Sequence, residues 1–455
     1  MSTSSKPPDS AASDASSSTP AAPTPQQESA AFSRLTGDTL AGLTEAVQTS
    51  HEQVSAIVDA VIPTRIRPWR KYSAATTRGV YEAVKFGVKT LPPAVHAVSS
   101  AVGKDDVMAP SNNGFVRGTQ ATMNGLWPTM TDDRPELVTE MAVRIDHADL
   151  ALTPDAIAVA FPEASGRIAI FVHGMVCDED CWIRPEAAGA TTTDSEPSPT
   201  TPATDATDAT DATAATAATE SAASKEHVEP PEPVPYGTRL QSELGITPVY
   251  VRYHTGRSVA DNGRDLADLI EALVAGWPVP VENVSLVAHS MGGLVSVVAA
   301  TRAHGESMTW YPLLDHVITL GTPHHGAPLA HLMCGTGPAL SGVPVVGPIA
   351  EWAQVTSAGG ADLRKDLHAE GLPADATPRL PLTAISATKF GSREQALMQH
   401  AGDLLVPTYS ADASAAEAMD VTGHHVERAG HLALLNHPDV YAHIRETLES
   451  RSAAT

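Results

Sequence analysis

The stretch from Val284 to Ala300, VSLVAHSMGGLVSVVAA, constrains the fold of this chain more than any other. It begins with a short apolar, β-branched run that is long enough for a buried parallel strand, and it ends with an apolar, helix-compatible run. Between the two runs stands Ser290, with the small residues Ala288 and Gly292 on either side. A strand, a sharp turn with a serine at its apex and a helix make the context of a nucleophile elbow. The pattern alone fits a buried strand–helix turn equally well, so the remaining motifs must decide.

Composition excludes several classes of protein. The net charge of −24 over 455 residues argues against nucleic acid as a partner, although part of that charge lies in a low-complexity insert. Three cysteines, Cys177, Cys181 and Cys334, do not suggest a disulfide framework, and we expect free thiols and no metal site. The N-terminus has no basic segment leading into an apolar run, and no stretch reaches the roughly 20 apolar residues of a spanning helix. These features predict a cytoplasmic protein.

The chain divides by composition into three parts, and two distinct segments lie within the third. Residues 1–30 form a Ser/Pro/Ala/Asp-rich tail that we predict to be disordered, and 31–125 carry apolar residues at helical spacing. Residues 135–450 form an α/β domain, which a disordered Thr/Ala/Asp/Pro insert interrupts at 186–235. Within the domain, 329–372 contain only Gly/Pro-punctuated apolar segments, which are typical of a lid or of the core of a cap.

A basic cluster with two aromatic residues lies in the helical N-terminal region. Its members are Arg65, Arg67, Arg70, Lys71, Arg78, Lys85 and Lys89, with Trp69 and Tyr72 between them. One interpretation is the solvated face of a helical hairpin. The other is peripheral contact with an anionic membrane or lipid body.

Strand-like runs alternate with helical ones through the α/β domain, which predicts a mostly parallel, doubly wound sheet. The predicted parallel strands are 167–172, 247–253, 284–288, 316–320 and 382–387. The runs Met141–Ile145 and Ile157–Phe161 are interpreted as antiparallel edge strands that open the sheet.

Nucleophilic catalysis by serine requires a histidine base and an acid that orients it. In a doubly wound sheet with a nucleophile elbow, both residues follow the serine along the chain. Asp403, in AGDLLVP after a predicted strand, is the preferred acid, and Asp412 and Asp420 are alternatives. His431, which follows a glycine in GHLALL, is the preferred base. The competing candidates are His424 and His425.

Two backbone N–H groups should bind the oxyanion. One is that of Met291, the residue after the serine. The other comes from the loop after the first parallel strand, His173-Gly174-Met175, where Met175 is the natural donor.

The elbow AHSMGG, the loop VHGM, the segment LGTPHHGAPLA and the loops GDLLVP and GHLALL together resemble the bacterial lipase/esterase branch of the α/β-hydrolases. The segment LGTPHHG is especially similar to the triacylglycerol-lipase and GPI-inositol-deacylase-like group. The resemblance covers about Arg167 to the C-terminus, apart from the insert. It implies Ser290, Asp403 and His431 as the triad, with Met175 and Met291 as oxyanion donors. Ala288 departs from the usual elbow glycine, and Leu404 from the glycine that often follows the acid.

These features predict a serine carboxylic-ester hydrolase that acts on an ester or lipid through an acyl-enzyme and needs no cofactor. An acyltransferase with the same triad is a close alternative, since only the acceptor differs. A second alternative, from another class, is a lipid-surface or granule-associated scaffold with a vestigial hydrolase domain, which the basic N-terminal helices support.

Overall fold

The computed structural model describes residues 24, 26–31, 33–34, 114–126, 128, 134–183, 234–327, 357–366, 380–390, 402–413 and 420–450. The chain divides into two compact units. The first comprises Met1–Arg117, Thr129–Val138 and Pro344–Trp352, and its described residues include a helical stretch at 26–31 and the 3₁₀ turn Pro135–Leu137. The second unit comprises Gly118–Pro128, Thr139–Val343 and Ala353–Thr455, and every predicted site residue belongs to it.

An eight-stranded sheet lies at the centre of the second unit. Strands β1 to β8 are, in chain order, Ala142–Ile145, Ala148–Asp149, Arg167–Val172, Thr247–Arg252, Asn283–His289, Leu314–Leu320, Pro381–Thr388 and Asp420–Glu427. Across the sheet their order is β2-β1-β4-β3-β5-β6-β7-β8. Strands β3 to β8 run parallel, whereas β1 pairs antiparallel with β2 and β4. The predicted mostly parallel, doubly wound sheet is therefore confirmed.

Helices connect the strands. Helices α1 to α9 are Gly114–Leu126, Pro154–Ala160, Asp180–Ile183, Tyr236–Leu244, Val259–Ala275, Met291–Gly305, Ala358–Asp362, Thr408–Ala411 and Pro438–Ser450. Short 3₁₀ turns occupy Tyr311–Leu313 and His431–Leu435. The N-terminus of α5 is capped by Ser258, whose hydroxyl accepts the N–H of Asp261 at 3.0 Å.

The apolar run of β5 is continuous because helices cover both faces of the sheet. Successive strand side chains point to opposite faces. Leu286 packs in one core cluster with residues of α5 and α6, and Val287 packs in a second cluster with residues of α4 and α9. Both side chains are fully buried, and each burial stabilises the fold by about 1.5–3 kcal/mol. Helices therefore pack on both faces of the strand that leads to Ser290.

One of the two predicted edge strands is wrong. Residues 157–160 belong to α2 rather than to a strand, and β2 is the two-residue strand that follows the β1 turn. Helix α2 begins where the Thr153 hydroxyl accepts the N–H of Ala156 and Pro154 occupies the first turn. Of its residues only Ile157 is buried, so the helix packs through one apolar side chain and shows no alternation of buried and exposed residues.

Several predictions lie mostly or wholly outside the described residues. They are the tail at 1–30, the helical region at 31–125 with its basic cluster, the insert at 186–235 and most of the lid or cap at 329–372. Cys177 and Cys181 are free thiols. Within the described part of the chain, no helix combines the length and the apolar character needed to cross a membrane.

Candidate active site

Ser290 lies at the turn between β5 and α6, at the carboxyl edge of the sheet. Its φ of 53° and ψ of −125° are a combination that residues with a side chain rarely adopt. Three hydrogen bonds hold this backbone. The Ser290 N–H donates to Leu320 O at 2.9 Å, and Ser290 O accepts from the Gly293 N–H at 3.0 Å and from the Thr322 hydroxyl at 2.9 Å. Neighbouring strands and loops therefore hold the strained turn that places the serine at the end of β5.

The turn requires a small residue two positions after the serine. A Cβ at Gly292 would stand 2.5 Å from the carbonyl oxygens of Val172 and His173, at the end of β3. That distance is far inside van der Waals contact, so a larger residue would push α6 away from the sheet. The small residue predicted at this position of the elbow is confirmed as a packing requirement.

Asp403 and His431 form a hydrogen-bonded pair in the loops after β7 and β8. His431 Nδ1 lies 2.7 Å from Asp403 Oδ2, and Asp403 Oδ1 accepts the N–H groups of Leu405 and Val406 at 3.0 and 2.8 Å. Burial opposes ionisation of Asp403, but His431 and the two N–H donors together hold the pKa of the carboxyl below its ordinary value. Asp403 is therefore a carboxylate at neutral pH, and Nδ1 of His431 donates to it, which leaves Nε2 as the second nitrogen of the ring.

Gly321 lies between the Asp403–His431 pair and the turn that carries Ser290. It directly follows Leu320, which accepts the Ser290 N–H, and its φ is 57°. A Cβ at this position would stand 2.9 Å from Asp403 Oδ2 and 3.1 Å from His431 Nδ1. Asp403 and His431 thus pack against Gly321, whose preceding residue Leu320 accepts the N–H of Ser290. The structure brings Ser290, Asp403 and His431 to the same edge of the sheet.

The loop His173-Gly174-Met175 follows β3 and packs against the serine, since a Cβ at Gly174 would stand 3.0 Å from Ser290 Cβ. His173 Nε2 accepts the N–H of Tyr253 at 3.3 Å, so the proton is on Nδ1, which donates to Gly174 O at 2.9 Å. Burial lowers the pKa of His173 to about 4, which keeps the ring neutral. Because C=O and N–H of a trans peptide point in opposite directions, the N–H of Met175 points away from the His173 ring.

Met291 is the other predicted oxyanion donor. It is the first residue of α6, and the first N–H groups of a helix have no acceptor one turn earlier. The positive end of the helix dipole lies at the same place.

His289, which the sequence analysis does not single out, contacts His431 through a hydrogen bond and through its ring. Its Nε2 lies 3.1 Å from the carbonyl oxygen of His431, and the two ring centroids are 4.6 Å apart. Burial and the nearby His431 lower the pKa of His289 to about 3, so the ring is neutral, and Nε2 donates because a carbonyl only accepts. The signal available in the sequence was a histidine that directly follows an apolar strand-like run.

The competing acid and base candidates lie elsewhere. Asp420 is the first residue of β8, at the opposite end of that strand from His431, and Asp412 caps the C-terminus of α8. His424 stacks on His443 with ring centroids 4.1 Å apart. The ring of His425 is hydrogen-bonded to the hydroxyls of Ser386 and Thr388 at 2.9 and 3.2 Å.

Residues 357–366 are the described part of the predicted lid or cap. The Gly359 N–H donates to Gly256 O at 3.2 Å, and a Cβ at Gly359 would stand 3.3 Å from Met291 Cε. This segment therefore contributes to the surroundings of Met291.

One protein-family model matches part of this chain. Residues 252–334 match the family described as the PGAP1-like alpha/beta domain. This range contains the elbow and the segment LGTPHHG. No curated protein matches the chain.

Three solved structures are among those that match this chain. A lipase from Bacillus licheniformis in its propeptide form is 16% identical, with a TM-score of 0.39, and the match covers 63% of this chain but only 51% of the lipase. A thermophilic esterase from Thermogutta terrifontis is 15% identical, with a TM-score of 0.33 and coverage of 63% and 90%. A Pyrococcus furiosus esterase is 11% identical, with a TM-score of 0.35 and coverage of 63% and 84%.

The strand order, the turn that carries Ser290 and the family match agree with one another. The chain thus has the mostly parallel sheet of an α/β-hydrolase fold, and its residues 252–334 match the PGAP1-like alpha/beta domain.

Proposed function

We propose that this protein is a serine carboxylic-ester hydrolase with Ser290 as nucleophile, His431 as base and Asp403 as the acid that orients the base. The observation that carries the proposal is the buried Asp403–His431 hydrogen bond of 2.7 Å, packed at Gly321 against the backbone next to the contact with Ser290. In that pair the Nε2 of His431 is the nitrogen that can accept a proton.

In the first half of the reaction, Nε2 of His431 takes the proton of the Ser290 hydroxyl while Oγ forms a bond to the ester carbonyl carbon. The carbonyl oxygen becomes an oxyanion, and the N–H groups of Met175 and Met291 donate to it. The intermediate collapses by breaking the bond to the alcohol oxygen, which receives the proton from His431. An acyl-enzyme on Ser290 remains.

In the second half, water takes the place of the alcohol. His431 accepts a proton from the water as it attacks the acyl carbon, and the same proton returns to Oγ of Ser290 when the acid leaves. Asp403 keeps the imidazole in the required tautomer and stabilises its cation during both halves.

Two exposed leucines favour an ester with an apolar acyl chain. Leu404 follows the acid and Leu432 follows the base, and they are 42% and 41% exposed. An acyl chain that lies against these exposed side chains would be removed from water together with them, which is favourable.

The test is hydrolysis of p-nitrophenyl esters from acetate to palmitate by the wild type, Ser290→Ala and Ser296→Ala. Ser296 is the matched control because its buried hydroxyl only donates to Gly292 O, at 2.8 Å, within α6. We expect Ser290→Ala alone to lose activity while both variants remain folded. Equal activity of Ser290→Ala and the wild type would refute the proposal.

The acyltransferase alternative uses the same residues, and adding an alcohol acceptor to the assay separates the two. A product ratio that strongly favours the new ester over the free acid would identify a transferase. The scaffold alternative, the peripheral membrane contact and the cytoplasmic location depend on sequence outside the described residues and stay predictions.

A further inference from the structure

A second group of chemically able side chains lies away from Ser290. His147 belongs to the turn between β1 and β2, and Glu179 and Asp180 lie at the start of α3, in the loop that also carries Met175. Each of the three residues offers one ligand atom, and these atoms lie within 4.8 Å of one another. We call them the hairpin–loop cluster.

The distances within the cluster suit a shared metal ion. His147 Nδ1 lies 3.4 Å from Asp180 Oδ1 and 3.8 Å from Glu179 Oε1. Two atoms that each bind a tetrahedral zinc ion at about 2.0–2.1 Å are roughly 3.4 Å apart. The ligand atoms therefore need only small shifts to reach zinc-binding distances.

Two buried atoms of the cluster lack a hydrogen-bond partner. Among the residues that the structure describes, His147 Nδ1 and Glu179 Oε2 have no hydrogen-bond partner, and Glu179 is only 1% exposed. A buried polar atom left unpaired costs about 1–3 kcal/mol, so such atoms in native proteins call for an explanation. A cation between them would satisfy both.

The nearby charges leave room for a cation. The guanidinium of Arg144 lies 3.0 Å from Glu179 Oε1 and also pairs with Asp149, and Arg252 lies 2.8 Å from Asp149 Oδ1. Both guanidinium groups thus also serve Asp149, and the cluster itself contributes the carboxylates of Glu179 and Asp180. Arg144 also donates to the backbone oxygen of His147, so the turn is held in place for its side chain to act as a ligand.

We propose that His147, Glu179 and Asp180 bind a zinc ion that ties the β1–β2 turn to the loop carrying Met175. An imidazole nitrogen with two carboxylate oxygens is a zinc donor set, whereas magnesium and calcium prefer oxygen ligands alone. The side chains of His147 and Asp180 are 24% and 14% exposed, which gives the ion a path from solvent and allows water as a further ligand.

The experiment measures zinc binding to the full chain after treatment with a chelator, by equilibrium dialysis and by the shift in Tm. The first variant is His147→Asn, because asparagine tolerates the left-handed φ of 65° at this position. The second is Asp180→Asn, which is nearly isosteric. The control is His304→Asn, which removes an exposed imidazole from the end of α6, because the chain has 19 histidines that can bind zinc weakly.

We expect one tightly bound zinc ion per chain and a zinc-dependent rise in Tm for the wild type and the control. Both cluster variants should bind zinc at least about tenfold more weakly and lose the rise in Tm. Equal binding by His147→Asn and the control would overturn the proposal. So would an equal rise in Tm with magnesium, or a wild type that binds no zinc although His147→Asn alone is destabilised, since that result identifies a simple ion-pair cluster.

Discussion

Replacing Gly321 by alanine is the sharpest test of the candidate site, because one added methyl group would act on the acid and the base together. The new Cβ would stand 2.9 Å from Asp403 Oδ2 and 3.1 Å from His431 Nδ1. It would also meet Leu434 Cδ1 at 2.8 Å. The Asp403–His431 hydrogen bond of 2.7 Å lies beside this position and must shift to make space.

The size of the effect follows from these distances. To reach an ordinary contact of 3.4 Å, Asp403 Oδ2 must move by about 0.5 Å, and the His431 ring by somewhat less. A displacement of catalytic groups by about 1 Å costs around 100-fold in rate, so we expect kcat/KM for an activated ester to fall roughly 10- to 100-fold. The positive φ adds a stability cost of about 1–2 kcal/mol.

Gly245→Ala is the matched control. Gly245 has φ of 63° at the end of α4, and a Cβ there would meet nothing within 4 Å. This variant carries the backbone cost of a left-handed alanine without touching the site. Urea unfolding followed by circular dichroism, together with ester kinetics on the folded proteins, separates the two effects.

We expect both variants to lose about the same stability from φ, with a further loss at Gly321, and only Gly321→Ala to lose activity. If folded Gly321→Ala keeps wild-type kcat/KM within about twofold, the packing of the pair against residue 321 does not position the base. If Gly245→Ala loses as much activity, the loss is a general effect of destabilisation.

The remaining predictions concern strain and pH. Ser290→Gly should be more stable than Ser290→Ala by about 1 kcal/mol in urea unfolding, because glycine adopts φ of 53° without strain; equal stabilities would contradict the strained turn. The wild type should exceed Asp403→Asn in free energy of unfolding at neutral pH, and the difference should shrink as pH falls below about 4, because the folded pKa of Asp403 is lowered; a constant difference would refute this. Stability should also fall as pH drops from 6.5 toward 4, by up to about 1.4 kcal/mol per pH unit for each of His173 and His289, since both bind protons only in the unfolded chain over this range. His289→Phe should reduce that slope by one proton, as measured by urea titrations across the range.

Much of the fold could be predicted from local patterns. Runs such as Arg167–Val172 and Val284–Ala288 are continuous and β-branched because both faces of a parallel strand are buried, so they mark the central strands without reference to any partner. The prediction of a strand at Ile157–Phe161 is wrong because so short an apolar run does not distinguish a strand from a helix. Its N-terminal cap and proline decided for a helix.

The candidate site likewise contains one residue that the sequence could place and others that it could not. Ser290 could be placed from sequence, since the elbow is a local signal of strand, turn and helix. Chain order and local context favoured Asp403 and His431. They did not exclude the alternatives, which were His424, His425, Asp412 and Asp420. The hydrogen bond between Asp403 and His431 joins residues 28 positions apart, and only the neighbouring β7 and β8 bring their loops together.

The sequence by itself determined the elbow, the alternation of strands and helices and the mostly parallel sheet, because these depend on spacing and on burial along one segment. Only the tertiary structure decided which aspartate meets which histidine, that His289 contacts His431 and that His147 lies beside Glu179 and Asp180. Each of these contacts joins separate strands or loops. Their geometry is set by the order of strands in the sheet, and the local pattern of residues does not determine that order.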